Sequence, residues 1–368
     1  MIHSLYIHIP FCDHICSYCD FPKVLCGTFF QEDYIKTLIK DIDSLSIPDN
    51  SLRTIYIGGG TPNALSLDCL KILLSYLSKH FPSVEEFTME ANPESLTEEK
   101  IALAKISGVN RISLGVQTTN EKLLFTLNRK HNNQQVASVI KNLNKYGIEN
   151  YNLDFIYGLP GQALEDIDKD LAFALSLKPK HLSFYSLQIE EGTLLYNKKV
   201  KPCSDDNYTQ FYEHVVQSLK EAGFQRYEIS NFALPTYESK HNLTYWHDEY
   251  YYAAGLGASG YLPSLRYKNT ASMNHYLKHQ FRYQEETITL EDEEFEFLML
   301  NLRLTQGFLL EDFKRRFQKD FLFSYQQEIE KVKPYVQISN GRFAIKEKYL
   351  YTMDQILLEL LKLPQTDE

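Results

Sequence analysis

The sequence predicts an α/β protein: a parallel sheet with crossover helices, followed by a smaller α+β unit. Three observations carry this. Six short apolar runs alternate with helical patterns before residue 200. The polar signals gather at the C-terminal ends of those runs. Beyond about residue 200 the pattern changes to helices with one strong hairpin signal.

Residues 5–11 (LYIHIPF) read as the first strand, and a helix over 32–45 follows with Ile35, Leu38, Ile39 and Ile42 on one stripe. TIYIGGG, from Thr54, is the second strand and runs into glycines. Ser66 suits the N-cap of a helix carrying Leu67, Leu70, Leu74 and Leu77. EFTMEANP, near Phe87, is the third strand, and Thr97 suits the cap of a helix that stops at Gly108. RISLGVQ from Arg111 is the fourth, with helical segments to Gly147. NLDFIYGLP from Asn152 and HLSFYSLQIE from His181 are the fifth and sixth, joined by a helix containing Ile167, Leu171 and Leu175. Six steps fall short of the eight of a complete (βα) barrel, and the pattern alone leaves a doubly wound sheet open. In both architectures the site lies at the C-terminal edge of the strands, where Gly58 to Thr61, Glu90 to Asn92, Gln117, Asp154 and Gln188 fall. After residue 200 come a helix over 205–222, a Tyr- and Gly-rich segment to about Tyr267, a helix over 291–304 and VQISNGRFAI, whose Asn340-Gly341 pair signals a hairpin. The expected division is 1–200 for the sheet and 201–368 for the appendage. The acidic run from Glu291 to Glu294 reads as a solvated helix start, at the positive end of the dipole.

At roughly 150 residues per domain, 368 residues suggest about two domains. With 43% hydrophobic and 23% charged residues, disorder, collagen and coiled coil are excluded. The balance of 38 basic against 48 acidic residues, net −10, argues against a general nucleic-acid binder. No stretch approaches the ~18 apolar residues of a membrane span. MIHSLYIHIPFC lacks a basic stretch followed by an apolar core, so no signal peptide and a cytoplasmic location are expected.

The six cysteines are not spread as a disulfide framework. Cys12, Cys16 and Cys19 crowd into CDHICSYC, directly after the first strand. Three thiolates in one loop can hold three irons of a 4Fe–4S cluster and leave the fourth open to a small molecule. The competing chemistry is a structural zinc site completed by His8 or His14, but zinc sites usually pair two cysteine knuckles and no second one exists. GGGTP, from Gly58 to Pro62, permits close backbone approach, to a ligand or simply within a tight turn. Cys69 and Cys203 read as small buried hydrophobes.

The CxxxCxxC spacing after the first strand of a (βα) series resembles the radical S-adenosylmethionine (SAM) enzymes. YIHIPFCDHICSYCDF, GGGTP, MEANP, SLGVQ, LNRKH and LDFIYGLPGQ extend the likeness to the anaerobic coproporphyrinogen III oxidase-like family, over Tyr6 to about Glu190. The resemblance implies a partial (βα)6 TIM-like barrel with a winged-helix-like appendage. It implies a cluster on Cys12, Cys16 and Cys19 whose open iron chelates SAM. It also implies cleavage of SAM to methionine and a 5′-deoxyadenosyl radical. Carried over by position, Tyr6 and Tyr18 would flank cluster and cofactor, Gly59, Gly60 and Thr61 would contact SAM, and Glu90, Gln117, Arg129 and Asp154 would bind its polar groups. Gln188 matches by position only.

Two subfamilies share these strings. The oxidase carries a further cysteine two residues after the third, where this chain has Asp20-Phe21, and Cys26 lies too far along to replace it. The oxidase also has an N-terminal extension, whereas five residues precede Tyr6 here. The CDF ending and KHNLTYW, which fits an HNxxYW motif at His241, Asn242, Tyr245 and Trp246, resemble instead the heme chaperone (HemW) subfamily. That resemblance implies a heme carrier that serves acceptor proteins such as respiratory enzymes, with His241 as a candidate heme ligand. His241 and Trp246 could equally seal two parts of the chain together. Porphyrinogen decarboxylation, which converts two propionates to vinyls, is the alternative activity. No nucleic-acid partner and no transmembrane segment are expected, and peripheral membrane contact stays open.

Overall fold

The computed structural model describes residues 2–25 and 30–361; Cys26 lies outside the described residues. Six parallel strands lie side by side in chain order: β1 (Ser4–Ile9), β2 (Thr54–Gly59), β3 (Glu86–Ala91), β4 (Arg111–Gln117), β5 (Asn150–Tyr157) and β6 (His181–Ser186). A doubly wound sheet would reverse its strand order part-way. This one does not, so the pattern is that of an incomplete (βα) barrel. Helices α1 (Gln31–Ser44), α2 (Leu67–His80), α3 (Glu98–Ile106), α4 (Glu121–Thr126), α5 (Asn133–Lys145) and α6 (Leu164–Ser176) make the crossovers. Ser66 caps α2 by accepting the Cys69 amide, and Thr97 caps α3 by accepting that of Lys100, as their positions foretold. On α1 the buried face holds Tyr34, Ile35, Leu38 and Ile42.

The chain beyond residue 200 does not fold apart from this sheet. After α7 (Leu194–Asn197) and α8 (Asp205–Glu221), strands β7 (Gln225–Arg226) and β8 (Asn231–Ala233) extend the β6 edge antiparallel. Strand β9 (Tyr252–Ala254) pairs in parallel with the free edge of β1. Three residues carry too little periodicity to be read as a strand from sequence. A meander of β10 (Ser259–Leu262), β11 (Leu265–Asn269) and β12 (Arg282–Thr287) follows. Asp41 of α1 ties this region down: its buried carboxylate accepts from the Gly255 amide at 2.9 Å, Asn269 Nδ2 at 2.8 Å and the Tyr276 hydroxyl at 2.9 Å.

A separate hydrophobic cluster, with Phe297, Phe308, Phe313, Phe321 and Phe343 at its centre, forms the core of the C-terminal unit. Its small sheet runs β13 (Phe308–Leu309), β15 (Arg342–Ile345), β14 (Val336–Ser339). The hairpin between β14 and β15 turns at Asn340 and Gly341, both at positive φ (51° and 72°). The helix Leu290–Asn301 corrects one expectation. Two of its four leading acids are buried: Glu293 accepts from the Tyr250 hydroxyl at 3.0 Å, and Glu294 meets Lys319 at 2.5 Å and the Tyr325 hydroxyl at 2.9 Å. No helix among the described residues is long and apolar enough to cross a membrane.

The lower half of the barrel is filled by Tyr227 and by residues 239–246, on either side of β8 in sequence. Helix α9 (Lys240–Trp246) seats its first amides on Glu86 of β3, with Lys240 N–H at 3.0 Å and His241 N–H at 2.9 Å. Thr244 meets Ser4 at 2.8 Å, and the Tyr227 hydroxyl meets His181 Nε2 at 2.9 Å. Removing the Glu86 carboxylate would strand these buried donors. Glu86→Ala is expected to lower unfolding free energy by about 3 kcal/mol, and Glu86→Gln by less. Urea midpoints check this; equal loss in the two variants would contradict it.

Candidate functional site

The strands end in a cavity of about 530 Å³, open at the C-terminal edge of the sheet. Cys12, Cys16, Cys19, Tyr18, Gly59, Gly60, Thr61, Glu90, Gln117, Arg129, Asp154 and Gln188 all line it. Residues spread over 177 positions of sequence thus meet in one place, because parallel strands in chain order put all their C-terminal ends on one rim.

The cysteine loop is held by the chain around it. The Ser17 amide donates to the Leu127 carbonyl at 2.9 Å, and Asn128 Nδ2 to the Ile15 carbonyl at 2.8 Å. Lys23 Nζ donates to the Cys19 carbonyl at 2.5 Å. Tyr18 packs against the hydrophobic cluster that includes Leu127, Ile156 and Leu187. Arg129, 7% exposed, points Nη1 at Cys16 Sγ (3.4 Å), and its Nη2 bonds Asn92 Oδ1 and the Gly115 carbonyl, both at 2.7 Å. The Thr61 hydroxyl faces Cys12 Sγ at 3.8 Å. Burial pushes the Cys12 thiol up to about 11. At Cys16 burial acts in the same direction, but His14 and Arg129 outweigh it and pull the thiol down.

This geometry separates the two metal chemistries. Among the described residues no three His, Cys, Asp or Glu side chains converge where a single ion would sit. His8 is committed to Tyr6 (Nδ1, 3.0 Å) and the Pro22 carbonyl (Nε2, 2.9 Å), and His14 pairs with Glu94 at 3.3 Å. Neither histidine is free to complete a zinc site. Three sulfurs that line one cavity without converging suit a cluster, in which each thiolate meets a different iron.

The glycines are required by the protein's own packing. A Cβ at Gly60 would lie 2.8 Å from the backbone of Pro10 and Phe11, and Gly59, at φ 113°, would drive one into the His8 ring at 2.5 Å. The Gly59 amide donates to Glu90 Oε2 at 3.1 Å, while Oε1 accepts from the Tyr56 hydroxyl at 2.7 Å. Burial raises Glu90 to about 7. Asp154 accepts from Ser113 at 2.9 Å and from Asn152 at 2.7 Å, and burial raises it too. Gln117 sits at φ 67°, where the register between β4 and β5 slips. Such strain in a non-glycine residue is characteristic of sites.

Two expected residues stand elsewhere. Tyr6 lies one layer below the cavity, its ring stacked 6.2 Å from Tyr56, and supports the lining without forming it. His241 is not brought to the cavity. Its ring is wholly buried beneath Tyr56, with Nδ1 on the Thr54 hydroxyl and Nε2 on the Tyr245 hydroxyl, both at 2.8 Å. With both nitrogens occupied it offers nothing to a heme iron, and its place is in the plug. Tyr56, Ser113 and Tyr185 also line the cavity, beyond the site residues expected from the sequence. Period-two alternation along the strands would have found Tyr56 and Ser113, each two residues from a glycine at the rim.

Comparison with known proteins matches two stretches of the chain. Residues 6–174 match the radical SAM superfamily, and residues 288–351 match the HemN C-terminal domain. A protein of Lactococcus lactis named heme chaperone HemW is 44% identical, over 89% of this chain and 88% of its own length. Proteins of the same name from Bacillus subtilis (40%; 83% and 84%) and Escherichia coli (37%; 83% and 83%) are also similar. Among solved structures, Escherichia coli coproporphyrinogen III oxidase (HemN), a radical SAM enzyme, superposes with a TM-score of 0.85 at 18% identity, covering 98% of this chain and 90% of that one. Radical SAM membership brings the 4Fe–4S cluster and SAM as cofactors, and the three-thiol cavity fits them. By sequence, fold and the geometry of its cysteine loop, the chain belongs to the radical SAM superfamily and, within it, to the HemW family.

Proposed function

We propose that this protein is a heme-binding chaperone on a radical SAM scaffold, delivering heme to acceptor proteins such as respiratory enzymes in the cytoplasm, with contact to a membrane at most peripheral. The observation that carries the reading is the 44% identity, over nine-tenths of the chain, to a protein named heme chaperone HemW. The rim geometry supports the cofactor part. Cys12, Cys16 and Cys19 would hold three irons, and the cluster would supply reducing electrons and an open iron for SAM. Arg129 is a fixed cation that faces Cys16, and its charge suits the carboxylate of SAM. Glu90 and Asp154 offer carboxylates to hydroxyl or ammonium groups. Tyr18, Gly59, Gly60, Thr61 and Gln117 complete the SAM site.

A paired assay on one anaerobic preparation tests the function. Hemin should bind stoichiometrically and pass to an apo-acceptor. Reductant, SAM and coproporphyrinogen III should yield no protoporphyrinogen; its formation would establish the decarboxylase instead.

Cys16→Ala should remove most cluster iron and sulfide, because two thiolates cannot hold the same cube. A full complement of iron in that variant would show that the ligand assignment is wrong.

Glu90 makes stability depend on pH. Its folded value of about 7 lies above the ordinary 4.5, so the fold favours the neutral carboxyl. That stabilisation is complete below pH 4.5 and is lost as pH rises through about 7. Glu228 and Asp248, also raised to about 7 by burial, titrate alike in both proteins and cancel in the comparison. Without SAM, Glu90→Gln should therefore lose less stability than the parent between pH 4.5 and 7.5 in urea titrations. Parallel curves would contradict a protonated Glu90.

A further inference from the structure

A second cavity of about 630 Å³ opens beside the first and shares Ser186, Leu187 and Gln188 with it. Four tyrosines wall it: Tyr157 from β5, Tyr208 and Tyr212 from α8, and Tyr351 from the C-terminal unit. Their rings form a connected series, Tyr208–Tyr157 at 6.0 Å, Tyr157–Tyr212 at 6.1 Å and Tyr212–Tyr351 at 6.4 Å. The Tyr208 hydroxyl donates to the Leu187 carbonyl at 2.7 Å and that of Tyr212 to the Ile229 carbonyl at 2.8 Å. Arg226 Nη1 donates to the Tyr212 oxygen at 2.7 Å. With those polar ends satisfied by the protein, the tyrosines offer ring surface beside the polar Ser186, Gln188 and Thr209, and flat aromatic ligands stack on such surface. The volume falls in the range of about 300–1,000 Å³ typical of small-molecule and cofactor sites.

A basic run borders the wall in sequence. Val200 and Pro202 belong to the wall, and Lys198, Lys199 and Lys201 alternate with them in sequence. All three lysines are exposed, and none has an ion-pair partner among the described residues. Asp205 and Asp206 follow at the start of α8, so the basic run is short and local in a chain of net charge −10. A tyrosine-walled cavity with mixed polar lining, bordered in sequence by a short basic run, suits a planar ring that carries carboxylates at one edge, which is the shape of heme.

We propose that the tyrosine-walled cavity is the heme site, with the heme propionates toward Lys198, Lys199 and Lys201. The assignment rests on the heme-chaperone reading and replaces His241, whose ring nitrogens are both occupied. It places the heme next to the SAM cavity, with Leu187 and Gln188 as the shared wall.

Hemin titration of the cluster-loaded protein, followed by the Soret band, tests this with two variants. Thr209 is exposed on α8 and lines the cavity, so Thr209→Trp fills the slot. The triple change Lys198→Glu, Lys199→Glu, Lys201→Glu inverts the basic run on the surface, where folding is not at stake. Both should weaken hemin binding by about tenfold or more, with cluster absorbance and SAM affinity unchanged. Binding by the parent with unchanged affinity in the triple variant would overturn the site and leave the heme reading standing. Failure of the parent itself to bind hemin would overturn both.

Discussion

A parallel sheet that curls without closing has an inner face that something must fill. Here that face is polar along its length, with Ser4, Thr54, Glu86, Ser113, Asn152, Asp154, His181 and Ser183 hydrogen-bonded across neighbouring strands or to the plug. Buried polar groups are costly unless paired. The lower half is satisfied from within, by Tyr227 and the turn-and-helix segment that ends at Trp246. The upper half is left to ligands, and the glycines, thiols and carboxylates gather there. Edge strand β9 depends on the same arrangement, since it reaches β1 only because the chain between has already crossed beneath the barrel.

Electrostatics at the rim follow from this. Thiolates and carboxylates concentrated in a buried bowl repel one another and resist ionisation. Arg129, held by Asn92 and the Gly115 carbonyl, sets a permanent cation against Cys16, and amide and hydroxyl donors meet Glu90 and Asp154. Cationic SAM and a cluster of iron would add the positive charge that the protein alone does not supply. The second cavity sets four tyrosine rings beside Ser186, Gln188 and Thr209, and among the described residues no charged side chain lines it.

Much of this was legible in the sequence. The six strands, the caps at Ser66 and Thr97 and the Asn340-Gly341 hairpin follow from local periodicity and turn chemistry, which tertiary context did not override here. The cavity residues were legible because strand ends carry sites in this architecture, and because three thiols as close as those of CDHICSYC suit an iron–sulfur cluster and little else. What local pattern could not show is long-range pairing. The parallel partner of β1 comes from three residues near position 253. HNxxYW read as a ligand motif, yet its histidine is held by Thr54 and Tyr245 inside the plug. Glu293 and Glu294 read as solvated, and only the folded chain brings Tyr250, from the segment before β9, and Lys319 and Tyr325, from the C-terminal unit, to pair with them. Cys203 read as a buried hydrophobe and is half-buried beside Tyr208.

The central claim is a cluster on Cys12, Cys16 and Cys19 with one iron left for SAM. Electron paramagnetic resonance of the anaerobically reconstituted, reduced protein, recorded with and without SAM, tests it most directly. A 4Fe–4S signal whose g-values shift on adding SAM is the predicted result. A spectrum with no such signal, or one that SAM leaves unchanged, would contradict it.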